Sequence, residues 1–539
     1  MEQYSIRKYI IGGIVILIGM IFIVRLFFLQ VVDKSYRVSA ENNSRRVVTL
    51  FPARGLIYDR NGELMVYNQA AYDLMISPFQ LQKFDTLELI DILDISKEQL
   101  INGISRAYNP RTRRDPFLKQ LSPETYAVLQ EKLYKFPGFY VQPRTLRKYS
   151  RNIAAHVLGY VGEVNDKVIE RDKYYSMGDY IGISGIEKTY ETHLRGEKGK
   201  EVYNVDVHGR VQGPYEEGRY NEPAVVGKNL VSSIDSDLQE YGERLMDNFR
   251  GSIVAIEPST GEILALVSAP DYSPELLVGR VRTKNYIRLL QDTLKPLFNR
   301  ALMAQYPPGS TFKLVNTLVG LEEKRVGIPT KYYCDLGYYY GSVRVGCHSH
   351  YSPLNLPQAI QNSCNAYFCN VFRRIIEDPK FANSAEALDN WKERVMSFGF
   401  GQKLQTDFTN ELSGSVPGSS LYNSIYGENR WKFITVISLA IGQGELAITP
   451  IQMANMTCAI ANKGYFYRPH VIKSIVGKDK IDPRFMEKQH TAFDTSHFAV
   501  VIEGMEAAVN GGAGSTARIA RIPDITVCGK TGTAENPHG

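Results

Sequence analysis

A chain of 539 residues is too long for one ordinary domain, so two or three folded units are expected. A hydrophobic fraction of 44% beside 22% charged residues excludes a mainly disordered chain. The net charge of +6 is scattered, with only short clusters such as Arg111, Arg113 and Arg114, so nucleic acid is excluded as an expected partner.

Ile10 to Val24 is uninterrupted apolar or glycine sequence, and it resumes after Arg25 with Leu26, Phe27, Phe28 and Leu29. About 20 such residues cross a ~30 Å hydrocarbon core as a helix. Arg25 lies near one end, where its long side chain snorkels to the interface. Arg7 and Lys8 precede the span and hold the N-terminus in the cytoplasm. No A-x-A-like cleavage site precedes Asp33, which favours an uncleaved signal anchor over a removed signal peptide. Residues 1–33 therefore read as a cytoplasmic tip and a single anchor in the cytoplasmic (inner) membrane. The remainder lies on the extracytoplasmic side, where the cysteines, all in the C-terminal half, are free to form a disulfide.

Residues 34–225 mix β-like runs (Arg46 to Phe51, Tyr72 to Ile76) with helical segments such as Pro123 to Lys135, and no repeat of solenoid length is present. This pattern predicts an extended, multi-lobed module. The pattern tightens from about Asn229. Asp235 opens a helical stretch with Leu238, Tyr241 and Leu245 at helical spacing. Ser252 to Glu257 and Glu262 to Ser268 read as strands joined by the turn Pro258-Ser259-Thr260-Gly261. Helices are predicted over Ser310 to Glu322, Leu356 to Arg374 and Pro450 to Asn462, with a late strand over Ile525 to Lys530. Residues 226–539 are thus expected to form an α+β domain, helices packed on an antiparallel sheet.

The breaker cluster Pro307-Pro308-Gly309 stands directly before the helical run that starts at Ser310. Ser310 and Lys313 share one helical face, and the apolar positions Leu314, Val315, Leu318 and Val319 predict burial of the lysine. Burial lowers a lysine pKa, and a neutral lysine can take a serine proton. Alone, S-x-x-K is a weak signal, since a solvated lysine at a helix start has the same spacing. Two further motifs follow in order: Ser363-Cys364-Asn365, and Lys530-Thr531-Gly532-Thr533, whose Gly532 lets a ligand approach the backbone. Each is bland in isolation. The ordered trio is specific, and is similar to the set shared by serine β-lactamases and penicillin-binding proteins.

With the trio in place, the chain resembles a class B penicillin-binding protein. Pro52-Ala53-Arg54-Gly55-Leu56-Ile57-Tyr58-Asp59-Arg60-Asn61-Gly62 resembles the opening motif of that family's pedestal, and Gly185-Ile186-Glu187 with Tyr190-Glu191 and Leu194-Arg195-Gly196 its later one. Gly442-Gln443-Gly444 with Thr449-Pro450 matches a further signature of the transpeptidase domain. The resemblance implies a peptidoglycan D,D-transpeptidase, inhibited by β-lactams, with Ser310 as acylated nucleophile and Lys313 as general base. It implies that Ser363 and Asn365 relay protons and hold the substrate amide. Lys530, Thr531, Gly532 and Thr533 would receive the substrate carboxylate, and the backbone N–H groups of Ser310 and Thr533 the oxyanion. Expected partners are the stem peptide on its lipid-linked polymer, the membrane, and a multi-spanning elongation glycosyltransferase. Tyr306-Pro307-Pro308-Gly309 and the run His156 to Gly162 resemble the elongation branch more than the division-specific one. A silent scaffold of the wall-building complex, and a β-lactamase or antibiotic sensor, are the alternatives from other classes. The chain ends shortly after Thr533, where the family adds further strands and a helix. Residues 226–539 are therefore expected to form an incomplete domain with the strand of Lys530 at a sheet edge.

No cofactor is expected for catalysis. Cys334, Cys347, His350 and Cys364 offer three thiolates and an imidazole, a set that suits tetrahedral structural zinc. Some relatives are similar in holding zinc around this segment, the middle residue of their S-x-D motif being one ligand, as Cys364 would be here. A disulfide, or unlinked buried thiols, remain alternatives, and His348 could replace His350.

Overall fold

The computed structural model describes residues 2–29, 45–108, 116–206, 211–477 and 481–534, so the cluster Arg111, Arg113 and Arg114 lies outside the described residues. The N-terminal helix Glu2–Phe27 contains the stretch Lys8–Phe27, with mean hydropathy 2.7 and none of it buried. It is long and apolar enough to cross a membrane.

The chain divides into two compact units, each assembled from separate segments. In the first (residues 1–54, 68–146 and 195–227), the strand Arg45–Leu50 pairs antiparallel with Gly199–Val205, and Val211–Pro214 extends that sheet. A separate core gathers Leu74, Leu89, Leu93, Leu100, Leu129 and Phe136 beneath the helices Thr86–Leu93, Lys97–Tyr108 and Pro123–Lys132. Asp85 and Ser122 start two of these helices, their side chains accepting from the first free N–H groups.

The second unit (residues 55–67, 147–194 and 228–539) holds residues 55–62 of the first motif read as a pedestal signature and residues 185–194 of the second. Glu187 is fully buried and pairs with Arg147 at 2.6 Å, while Arg147 Nη2 also donates to the Gly55 carbonyl at 2.8 Å. Arg147 lies in neither motif, so no local pattern announces it. Asp407, 2% exposed, accepts from Val471 N–H and from the Tyr190 hydroxyl at 3.0 Å. The strands Gly251–Ile256 and Ile263–Ala269 form the expected hairpin, with Gly261 at φ +82 closing its turn. On it lies the helix Ser236–Leu245, which buries Ser236, Gln239 and Gly242. The apolar positions Leu238, Tyr241 and Leu245 face outward instead, at 40%, 53% and 52% exposure.

Two expectations are corrected. Leu356 to Arg374 is two helices, Leu356–Gln361 and Asn365–Ile376, because Ser363 takes a left-handed φ of +52 that breaks the helix. Ile525 to Lys530 is not a strand: a strand needs a ladder partner. Here the Val527 carbonyl accepts from Asn510 Nδ2 and the Gly529 N–H donates to the Met505 carbonyl.

Removing Arg147 would strand a buried carboxylate, which costs about 3–5 kcal/mol. Arg147→Ala is therefore expected to lower the midpoint of denaturant unfolding sharply. An unchanged midpoint would mean that the pair contributes nothing net.

Candidate active site

Ser310 sits in the tight turn Gly309–Phe312, and the helix Lys313–Glu322 follows without a break. Leu314, Val315, Leu318 and Val319 draw this helix into the core, and Lys313 is buried with them at 0% exposure. A buried ammonium must find acceptors. Lys313 Nζ donates to the Ser363 carbonyl at 2.6 Å, to Ser363 Oγ at 3.2 Å and to Asn365 Oδ1 at 2.5 Å. Burial pulls its pKa down to about 8, opposed by the nearby thiols of Cys347, Cys364 and Cys369. Among the described residues no side-chain hydrogen bond joins Lys313 to Ser310; only the Lys313 backbone N–H meets the Ser310 carbonyl. The lysine reaches across to the S-x-N segment instead, where three oxygens converge.

That convergence is made by the break between two helices. A reciprocal cap by Asn355 and Gln358 starts the first, and Cys364 Sγ starts the second by accepting from Tyr367 N–H at 3.4 Å. Ser363 is left between them in its left-handed conformation, 7% exposed. Its hydroxyl also accepts from Lys530 Nζ at 2.7 Å. Burial, and then the positive charge of Lys313, hold the Lys530 pKa down at about 7.

Backbone contacts bring the remaining parts together. Gly309 has φ +58, and a Cβ there would lie 2.3 Å from the Thr533 carbonyl oxygen. Gly442, with φ +72, approaches from the other side: its own Cβ would lie 2.2 Å from the Gly309 oxygen. The Gly309 N–H donates to the Gly442 carbonyl at 2.8 Å. Gly532 passes over Thr311, while Thr531 is half-buried and Gly532 and Thr533 are exposed. All three motifs are therefore brought together with Ser310. Asn316 was not singled out in the sequence, although a lone amide in an apolar helical run was a readable signal. Its amide donates to the Leu439 and Ala440 carbonyls and accepts from Trp391 Nε1, tying down the segment that leads to Gly442.

The ligand atoms of Cys334, Cys347, His350 and Cys364 lie within 4.8 Å of one another, and His348 is not among them. All six cysteines are free thiols. Cys347 Sγ accepts from the Asn365 N–H at 3.3 Å and faces His350 Nε2 at 3.5 Å. The cluster thus abuts the N-terminus of the helix that carries Asn365.

Residues 251–538 match the penicillin binding protein transpeptidase domain, and residues 49–232 match the penicillin-binding protein dimerisation domain. The peptidoglycan D,D-transpeptidase MrdA of Acinetobacter baumannii is 32% identical, across 99% of this chain and 78% of that protein. A complex between penicillin-binding protein PBP2 and MreC from Helicobacter pylori superposes with a TM-score of 0.76 at 25% identity, over 91% of this chain and 90% of that one. A peptidoglycan synthase complex, solved for the coordination of polymerization and crosslinking, matches with a TM-score of 0.68 at 26% identity, over 98% of this chain and 89% of that one. The chain belongs to the penicillin-binding proteins, in the class B branch that sets a dimerisation domain before the transpeptidase domain.

Proposed function

We propose that this protein is an elongation-type peptidoglycan D,D-transpeptidase that cross-links stem peptides through an acyl-enzyme on Ser310. One atom carries the reading. Ser363 Oγ accepts from both Lys313 and Lys530, so a single buried hydroxyl links the three motifs beside the turn of Ser310. Ser310 Oγ attacks the carbonyl carbon of the penultimate D-alanine while Lys313 Nζ takes its proton. Collapse of the adduct breaks the C–N bond, and terminal D-alanine leaves with a proton relayed through Ser363. An amine of a second stem peptide then attacks the ester, and the Ser310 hydroxyl is restored. Lys530, Thr531 and Thr533 receive the carboxylate of the donor, with Gly532 leaving room for it. The close packing of Gly309 on Thr533 supports an oxyanion site built from the Ser310 and Thr533 N–H groups. We assign residues 1–33 to the tip and anchor, 34–225 to the pedestal and 226–539 to the transpeptidase domain.

Only the unprotonated Lys313 can accept the serine proton. Acylation by a labelled penicillin should therefore rise with pH through about 8, and fall in acid as Lys313 is protonated. Ser310→Ala should abolish the adduct at every pH. A label retained elsewhere in that variant sinks the assignment, and a rate flat through this range removes Lys313 as the base.

We further infer that Cys334, Cys347, His350 and Cys364 hold a structural zinc that braces Ser363 and Asn365 without entering the reaction. Their ligand atoms lie within 4.8 Å of one another, and a small inward shift would bring them to the edges of about 3.3–3.8 Å that bonds of about 2.0–2.3 Å require. His350 Nδ1 meets the Tyr351 carbonyl at 2.8 Å, so the ring donates there and leaves Nε2 free as a ligand. Elemental analysis of protein purified without a metal-affinity tag should give about one zinc per chain. Chelation should then lower the melting temperature. Recovery of Cys334 or Cys347 in a disulfide-bonded peptide, with no zinc, overturns this.

The apolar helix supports a single-pass anchor in the cytoplasmic membrane, with the bulk of the chain outside the cytoplasm. The same helix and the pedestal would bind a multi-spanning glycosyltransferase, as polymerization and crosslinking are coordinated in the related synthase complex. Exchanging Ile10–Leu29 for an unrelated span should weaken co-purification of that partner. Retention at full strength would remove the helix from the interface.

A further inference from the structure

We infer that Tyr339 and Arg344 form a subsite for a carboxylate on the donor peptide, about two residues before the one whose carbonyl is attacked. The inference rests on the reading of Ser310 as nucleophile and deepens it to the class of peptide accepted.

The strands Gly337–Tyr340 and Val343–Gly346 pair so that Tyr339 stands opposite Arg344 and Gly337 opposite Gly346. Side chains alternate across a strand, so these four positions share one face. On the opposite face Tyr338 and Val345 pack on the core, while Tyr340 and Val343 keep 38% exposure each. Tyr338 is 6% exposed, and the Tyr340 ring meets Phe433 edge to face at 4.7 Å. The Arg373 guanidinium lies 4.9 Å from both of those rings. The hairpin is therefore anchored through Tyr338, Val345 and the Tyr340 ring, with Tyr339 and Arg344 turned to solvent.

Its base is tied to the active site. Asn365 Nδ2 donates to the Gly346 carbonyl at 2.7 Å, while Asn365 Oδ1 accepts from Lys313. Strand rise places Arg344 about 7 Å from Gly346. An extended peptide advances 3.3–3.6 Å per residue, so about two residues cover that distance. A Cβ built on Gly346 would meet nothing within 4 Å, which leaves the floor beside Asn365 open.

The chemistry of the far end points to an anion. Arg344 is exposed and lies over the Tyr339 ring at 5.7 Å, which holds the guanidinium in place. Among the described residues it has no ion pair. Arg373, on the packed face, is by contrast paired with Glu377 at 2.7 Å. A planar fork of donors, preset on an aromatic ring and lacking a carboxylate, complements a carboxylate brought by the substrate. A solvated arginine with no ligand is the alternative that the test must exclude.

The test uses the full chain in detergent and two synthetic peptides ending in D-alanyl-D-alanine. One carries a free side-chain carboxylate two positions before the reacting residue, and its twin carries a carboxamide there. D-alanine release should favour the acid in kcat/KM by about tenfold. Arg344→Ala should erase that preference by slowing the acidic peptide alone, and Arg344→Lys should restore part of it. A preference that survives Arg344→Ala, or its absence in the parent, overturns the subsite. Labelled penicillin on the parent protein separates the two readings. A parent that labels at Ser310 but shows no preference loses only the subsite, whereas one that takes no label loses both.

Discussion

A single ammonium, buried with no carboxylate partner among the described residues, shapes this candidate site. Lys313 rides into the core on a helix whose apolar positions leave it no route to water, and its Nζ must find oxygen atoms there. Ser363 and Asn365 supply three, which is possible only because the chain between two helices breaks at Ser363 in a left-handed conformation. Lys530 closes on the same hydroxyl, so two cations share one neutral oxygen. Neither can be a comfortable ammonium, and both titrate well below an ordinary lysine. The lowered pKa of both lysines thus follows from packing.

The turn that carries Ser310 depends on a second constraint, the absence of side chains where backbones touch. Gly309 is enclosed by Thr533 on one side and Gly442 on the other, at separations that no Cβ tolerates. Asn316 secures the segment leading to Gly442 by satisfying two carbonyls and the Trp391 indole. The catalytic geometry is therefore held by buried amides and bare peptide groups remote in sequence, each of them costly to disturb. The Cys/His cluster plays a comparable part from the other flank, since Cys347 reaches the backbone of Asn365 and the adjoining hairpin reaches its side chain.

Much of this was legible in the sequence. The apolar span, the order of S-x-x-K, S-x-N and K-T-G, the hairpin around Gly261 and the four metal-type ligands are all local patterns. Local patterns survive in one dimension because helix and strand periodicity, turn residues and short spacings are set by neighbours along the chain. They sufficed for the fold class, the family and an N-terminal helix long and apolar enough to cross a membrane. Tertiary structure decided what depends on residues far apart. It chose Arg147 as the partner of Glu187, turned Leu238, Tyr241 and Leu245 outward, and split the predicted helix at Ser363. It also directed Lys313 to Ser363 and Asn365, brought His350 rather than His348 to the thiols, and left Ile525 to Lys530 without a ladder. For the polar groups among these the outcome was a competition for buried hydrogen-bond partners. Such a competition is settled only when distant segments pack, because a polar group removed from water must take whichever partner the fold brings within reach.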